Sequence, residues 1–432
     1  MDSLTVSILA LVAFFVLILF RMPIAFAFAL VGAGGMILLK GLGPGLSLLG
    51  SAPFTWATNG NLLALPMFIL MGQFVFYSGI SSELYEMGYK WAGKYRGGLA
   101  IATELASTAF GACCGVSLAA SATMGTVAYP EMKKYNYDDR LACGSIAAGG
   151  SLSTLIPPSA PFIIYGFLTS TSISKLFIAG IIPGVLLSAC FIAIIIFICW
   201  RNPKMGPAGP SFSWKERLAS VKGAGGVLFL FLLVMGGLFA GWFTPSEAGT
   251  IGAFGAFLIM LIRRKVTWKI LKEALKGGIL NTCFILTITI GAMIFTNFLT
   301  VAGFSSMFTG WIKDLMLPGW IIMAVILIIY IPLGCVMDAL AMVLLTLPIF
   351  FPIVKHLGYD PIWFGVILAI MSEMGLLTPP VGMNSYVVHG VTKVPLHTVF
   401  RGIIPFVIAM CIAVIILFIF PQIATFLPGV MK

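Results

Sequence analysis

A chain of 432 residues that is 60% apolar and only 9% charged has almost no polar face to offer water, which excludes a soluble globular domain and reads as an all-α polytopic membrane protein. Its formal charge of +11 raises nucleic acid as a partner. The bases are instead spread over short loops between apolar runs, the pattern of positive-inside topology, so no nucleic-acid role is expected.

The first apolar run, Leu4 to Phe20, follows Asp2 rather than a basic segment and has no small-residue cleavage site, so it reads as a retained span. Arg21 separates it from a second span. In that span Gly32, Gly34 and Gly35 miss the last position of a dinucleotide fingerprint and read as close helix packing. Residues 81–94 form a short amphipathic segment at a membrane face. Residues 98–129 carry GACCGVSLAAS at their middle, with arms of about 12 to 16 residues against the roughly 20 that a span needs. This is the pattern of a re-entrant hairpin.

Residues 141–166 carry TLIPPSAPFIIYG, a Pro-Pro pair inside an apolar run, hence a broken helix. The segments 201–223 and 263–276 are the most basic and read as cytoplasmic loops. Between them two spans, 227–241 and 248–262, place the GWFTPSEAG turn on the opposite side. Counting spans outward from these loops puts both termini outside. The second half repeats the order: an amphipathic segment at 305–316, a hairpin at 319–351 around GCVMDALAM, and a broken helix at 362–390 around LLTPPVGMNSYVV. An arrangement in which the first member of each pair spans and the second re-enters fits the sequence equally.

The repetition holds one offset of 222 residues. Pro23 meets Pro245, Pro130 meets Pro352, Lys133 meets Lys355, and Leu155, Pro157 and Pro158 meet Leu377, Pro379 and Pro380. The run from Gly180 to Pro183 meets that from Gly402 to Pro405. Because Pro23 falls on the cytoplasmic side and Pro245 outside, residues 1–222 and 223–432 read as an inverted repeat, with a site where the paired breaks meet.

Asp338 lies in an otherwise uncharged apolar stretch, where a carboxylate costs about 2.5 to 3.5 kcal/mol. It reads as part of a cation site, or as a cap on a hairpin helix. Glu373, five residues before Thr378, reads either as a site residue or as a pairing partner within the bundle. Glu104 and Glu247 read as structural. Ser117, Ser153, Thr154, Ser159, Thr378 and Asn384 are oxygen donors near the four breaks, suited as a set to a hard cation such as sodium. His356, His389 and His397 stand in or beside loops without ligand spacing. The eight cysteines lie in apolar runs, never in Cys-x-x-Cys spacing, and read as reduced, buried small residues with no transition-metal role. The chain has no Walker lysine motif, no aligned Ser-His or paired-Asp site for an intramembrane hydrolase, and a doubled break pattern that suits alternating access better than a pore.

At AFGACCGVSLAASATMGTVAYPEM, STLIPPSAPFIIYG, GCVMDALAMVLLTLPIFFPIV, SEMGLLTPPVGMNSYVV and the opening FRMPIAFAFALVG, the chain resembles the large membrane subunit of tripartite ATP-independent periplasmic (TRAP) transporters over nearly its whole length. The resemblance implies a sodium-coupled importer of organic acids in the bacterial inner membrane, working by an elevator mechanism. It also implies a small four-helix membrane subunit, separate because the chain begins directly at its first span, and a soluble periplasmic substrate-binding protein. Carried over by residue, it implies a first sodium site at Gly115, Ser117, Ser153, Thr154, Pro157 and Ser159. A second would use Gly334, Asp338, Thr378, Pro379, Gly382 and Asn384, with substrate near Ser117, Pro158, Pro380 and Asn384. The tip GACCGVS has fewer hydroxyls than many relatives, which favours backbone ligands there. A related single-component anion transporter of the same architecture is the alternative, and sodium is the only coupling ion implied, with no cofactor.

Overall fold

The computed structural model describes residues 2–314 and 317–431. The first half runs α1 (Ser3–Leu19), α2 (Ile24–Lys40), α3 (Leu42–Ala57), a 3-10 turn (Gly60–Leu63) leading into α4 (Ala64–Tyr77), and α5 (Ile80–Ala92). Then come α6 (Gly98–Cys114), α7 (Ser117–Lys134), α8 (Asp139–Leu155), α9 (Ala160–Thr169) and α10 (Ile173–Arg201). The second half runs α11 (Trp214–Phe239), α12 (Pro245–Ile262), α13 (Trp268–Val301), α14 (Phe304–Asp314), α15 (Gly319–Gly334) and α16 (Ala339–His356). It closes with α17 (Pro361–Leu377), α18 (Met383–Thr392), α19 (Leu396–Ile419) and α20 (Gln422–Val430). Among the described residues there is no strand, and eight helical stretches are long and apolar enough to cross a membrane. The segment expected to be amphipathic at 305–316 ends, within the described residues, with α14; residues 315 and 316 lie outside them.

Helix ends follow local chemistry. Asp138 caps α8 by accepting from the Arg140 N–H, and Asp360 caps α17 by accepting from the Ile362 and Trp363 N–H groups. Ser213 with Glu216 and Thr244 with Glu247 form capping boxes at α11 and α12, so Glu247 belongs to a helix start. These caps also revise the loop reading. Helix α11 begins at Trp214 and α13, capped by Thr267, at Trp268, so Lys215, Arg217, Lys222, Lys269, Lys272 and Lys276 are helical rather than in loops. The helices start where a cap supplies acceptors, several residues before hydropathy rises.

Two other expectations are corrected, for the cysteines and for Gly34. Cys283 and Cys411 are exposed and Cys190 is half-buried, because each lies on the outer face of a long helix that is apolar all round. His389 stands beside a loop, as expected, in the last turn of α18 with Nδ1 2.6 Å from the Val394 carbonyl oxygen. Gly34 has no atom within 4 Å of where a Cβ would project, so it serves no close packing.

Gly32 does serve it: a Cβ there would stand 2.7 Å from the Phe295 backbone, and this lets α2 lie against α13. Around that contact Phe14, Phe28 and Phe295 stack, with centroids 4.5 Å apart for the first pair and 5.5 Å for the last two. Helix α12 lies against α4, while α8 is enclosed by α6, α7, α17 and α19. Arg263 ties α5 to this frame. Its guanidinium donates to both carboxylate oxygens of Glu83, at 2.6 and 2.7 Å, and to the Gly223 carbonyl at 2.7 Å.

Gly32→Val is expected to destabilise the protein by about 1 to 3 kcal/mol or more through overpacking, whereas Gly34→Ala leaves stability unchanged. Thermal unfolding of the purified variants in detergent checks both. Arg263→Lys, which cannot reproduce the fork, should lower stability by about 1 to 3 kcal/mol in the same assay.

Candidate functional site

The α6–α7 pair turns over at Gly115 (φ +65°) and an extended Val116. The helix that starts as α8 breaks over residues 156–159 and resumes as α9, with Pro161 in its first turn. Tip and break are in contact: a Cβ on Gly115 would lie 2.6 Å from the Pro158 carbonyl oxygen. Behind the tip, a Cβ on Gly111 would meet the Ser153 backbone at 2.7 Å, and one on Gly150 would stand 3.1 Å from the Ser117 carbonyl. Pro157, Pro158, Ser153 and Ser159 are all buried, and the hydroxyls of Ser153, Ser159 and Ser121 have no hydrogen-bond partner.

The second pair is built alike but stands differently to its surroundings. Helices α15 and α16 are separated by residues 335–338, with Asp338 capping α16 by accepting from the Ala341 N–H at 2.9 Å. Helix α17 ends at Leu377, and α18 resumes after Gly382 (φ +60°). Gly334 and Gly375 pack backbone to backbone, a Cβ on either lying 2.6 Å from the other's Cα. The Cys335 thiol donates to the Pro379 carbonyl at 3.0 Å and lies 3.3 Å from the Thr378 hydroxyl. Both Pro-Pro peptide bonds are cis. Pro379, Pro380 and Val381, however, are exposed, where their counterparts in the first half are buried.

Glu373 joins the halves. Its Oε2 accepts from the Asn384 side-chain N–H at 3.2 Å, and its carboxylate lies beside the hydroxyls of Ser117 and Thr154. Glu373 Oε1 and Asn384 Oδ1 are buried without a donor. In front of them lies a cavity of about 260 Å³ lined by Gly115, Ser117, Thr154, Asp338, Glu373 and Asn281, among others. Five residues singled out in the sequence, Gly115, Ser117, Thr154, Asp338 and Glu373, therefore share one cavity, and Asn384 reaches it through Glu373. Gly334, Thr378, Pro379 and Gly382 stay at the second break, and Pro157, Pro158, Ser153 and Ser159 stand outside the cavity's lining. Asn281 was missed, since nothing in the sequence tells which face of the 34-residue α13 turns inward. Glu373 was visible as a lone carboxylate in an apolar run.

Acceptor oxygens without donors suit a cation. Four helix N-termini (α7, α9, α16, α18) end at the breaks with their positive dipole ends, suited to an anion. Among the described residues, an all-helical fold with eight candidate spans and two broken helices beside a cavity that holds Asp338 and Glu373 defines the class of membrane permeases. The comparisons narrow it. The family model described as "Tripartite ATP-independent periplasmic transporter, DctM component" matches residues 11–423, and the chain belongs to that family. The family is a transporter's permease component rather than an enzyme class.

The chain is 35% identical to the C4-dicarboxylate TRAP transporter large permease protein DctM of Pseudomonas aeruginosa, covering 87% of this chain and 88% of that one. It is 32% identical to the 2,3-diketo-L-gulonate TRAP transporter large permease protein of Escherichia coli, over 92% and 93% of the two chains. It is 30% identical to the sialic acid TRAP transporter large permease protein of Vibrio cholerae, over 94% and 95%. In fold it resembles the YdaH transporter of Alcanivorax borkumensis, with a TM-score of 0.58 at 13% identity, covering 91% and 89%. The antimetabolite efflux pump MtrF of Neisseria gonorrhoeae superposes with a TM-score of 0.56 at 13% identity, covering 89% and 85%.

Asn384→Leu removes the donor to Glu373 and should cost about 1 to 3 kcal/mol, read from thermal unfolding. Gly115→Ala places a methyl against the Pro158 carbonyl at a positive φ; the expected outcome is a folded protein whose uptake activity in proteoliposomes falls at least tenfold.

Proposed function

We propose that this chain is the large permease subunit of a sodium-coupled importer of an organic acid anion, a carboxylate or sulfonate, in the bacterial inner membrane. Substrate arrives on a soluble periplasmic binding protein, and a separate small four-helix subunit completes the membrane complex. The observation that carries this reading is one cavity that brings Ser117 and Thr154 of the first half together with Asp338 and Glu373 of the second, with Glu373 Oε1 and Asn384 Oδ1 buried without a donor. Relatives whose names specify C4-dicarboxylate, 2,3-diketo-L-gulonate and sialic acid support an organic acid as the substrate class.

In this reading residues 1–222 and 223–432 are inverted repeats, each giving a hairpin and a broken helix to a mobile unit. One sodium ion binds at Gly115, Ser117, Ser153, Thr154, Pro157 and Ser159. A second binds at Gly334, Asp338, Thr378, Pro379, Gly382 and Asn384. The substrate anion lies between them, near Ser117, Pro158, Pro380 and Asn384, facing helix N-termini. Exposure of Pro379 and Pro380 beside a buried Pro157 and Pro158 supports access from one side at a time. The mobile unit then carries its load past α2, α4, α12 and α13 as an elevator, with both chain termini outside. Each tenfold sodium gradient supplies about 1.4 kcal/mol per ion, and each net charge moved adds about 2.3 kcal/mol per 100 mV. Two ions with a monoanion therefore concentrate substrate without ATP.

Uptake into liposomes holding this chain and its small subunit, with and without an inward sodium gradient and with and without the binding protein, tests the reading. Uptake should require both, and Asp338→Ala should abolish it. Uptake that ignores the binding protein would favour the single-component alternative, and indifference to sodium would overturn the ion sites.

A further inference from the structure

The seam between α6 and α8 carries, at Glu104 and Ser107, polar side chains that the transport site does not use. Glu104, Ser107, Gly111 and Gly115 follow at three- and four-residue steps, so they share one face of α6 ending at the tip. Eleven residues of helix place Glu104 about 16 Å from Gly115. Gly149 and Ser153 face them from α8. Glu104 is fully buried, and neither of its carboxyl oxygens has a hydrogen-bond partner. The Ser107 and Ser153 hydroxyls also lack one. A Cβ on Gly149 would stand 2.5 Å from Ser107 Oγ and 3.3 Å from Glu104 Oε2, so both side chains press against the α8 backbone.

Among the described residues no opposite charge compensates Glu104. Helices α4, α5, α7, α8, α10 and α11 pack against α6. Among their charged groups, Glu83 is held by Arg263, Glu86 by Lys90, Glu131 by Lys134, Asp139 by Lys133 and Asp138 by Arg140. Lys175 and Arg201 stand at opposite ends of α10; Lys215, Glu216, Arg217 and Lys222 lie in the first turns of α11, with Arg217 over the Trp214 ring. The neutral titratable groups on these helices are Tyr77, Tyr85, Tyr89, Tyr129, Cys143, Cys190 and Cys199. None of them pairs with Glu104. An ionised carboxylate left alone in such an interior is costly enough that the group takes up a proton instead.

We propose that Glu104 is a proton-binding site. The carboxylate gains one proton from solvent, and the resulting O–H donates to Ser107 or to an α8 carbonyl across a contact too tight for a hydrated cation. Loss of the proton puts a bare charge in the seam on which the first hairpin docks. This site is independent of the two sodium positions proposed above.

The test is the folding equilibrium of the purified full chain between about pH 5 and about pH 9, in wild type, Glu104→Gln and Glu104→Leu. A folded state that holds one more proton than the unfolded chain loses stability as pH rises. The wild-type folding constant relative to either neutral variant should therefore fall by close to tenfold per pH unit from the lower end of that range upward, levelling off only where the folded-state carboxyl itself ionises. The two variants should agree with each other. A ratio that stays flat with pH in both variants overturns the proposal, as does failure of both neutral variants to fold at any pH. Sodium stabilisation of the wild type that disappears in Glu104→Gln also overturns it, because the ligand would then be the metal ion.

Discussion

A helix interrupted inside a membrane leaves backbone N–H and C=O groups that neither lipid nor water can satisfy, so each break has to be answered by other parts of the same chain. That constraint organises this molecule. The break before α9 is covered by the turn at Gly115; the break before α18 is contacted by Cys335 and steadied by the pair Gly334 and Gly375, with Pro379 to Val381 left exposed. Glycine at these contacts is not a matter of flexibility alone, since any Cβ would occupy the space in which one backbone meets the other.

The backbone groups thus released define what the centre of the protein can bind. Helix ends of both polarities point into the same region, where Ser117, Thr154, Asn281, Asp338 and Glu373 are the polar side chains of an otherwise apolar lining and Asn384 supplies an amide donor to Glu373. A carboxyl belonging to α17 in the second half lies beside hydroxyls from α7 and α8 in the first. Both broken helices therefore contribute residues to one cavity, Thr154, Ala160 and Pro161 from the first and Glu373 and Leu376 from the second. The surrounding frame is different in kind: α2 and α13 meet through Gly32 and stacked phenylalanines, and the Arg263 fork fixes α5 to it.

Much of this was legible along the chain. Proline pairs within apolar runs, small-residue tips and Asp338 in an uncharged stretch each violate what lipid-facing helices prefer, and so mark the breaks without any structure. Helix starts set by Ser213 and Thr267 were less legible, because hydropathy locates the apolar part of a helix while a cap locates its end. Helix α3, rich in glycine and holding Pro53, passed unnoticed for the same reason that composition suggests a loop there.

The amino-acid sequence by itself determined the helical membrane class, the places where helices break and the residue types offered there, because those follow from local backbone chemistry and the cost of polar groups in lipid. Only the tertiary structure decided which breaks share a cavity, that Glu373 meets Asn384 and the hydroxyls of the other half, that Asn281 borders that cavity, and that Glu104 is left without a partner. Those outcomes depend on which helix faces meet across hundreds of residues, and a hydrophobic pattern nearly uniform around each helix carries no record of the facing partner.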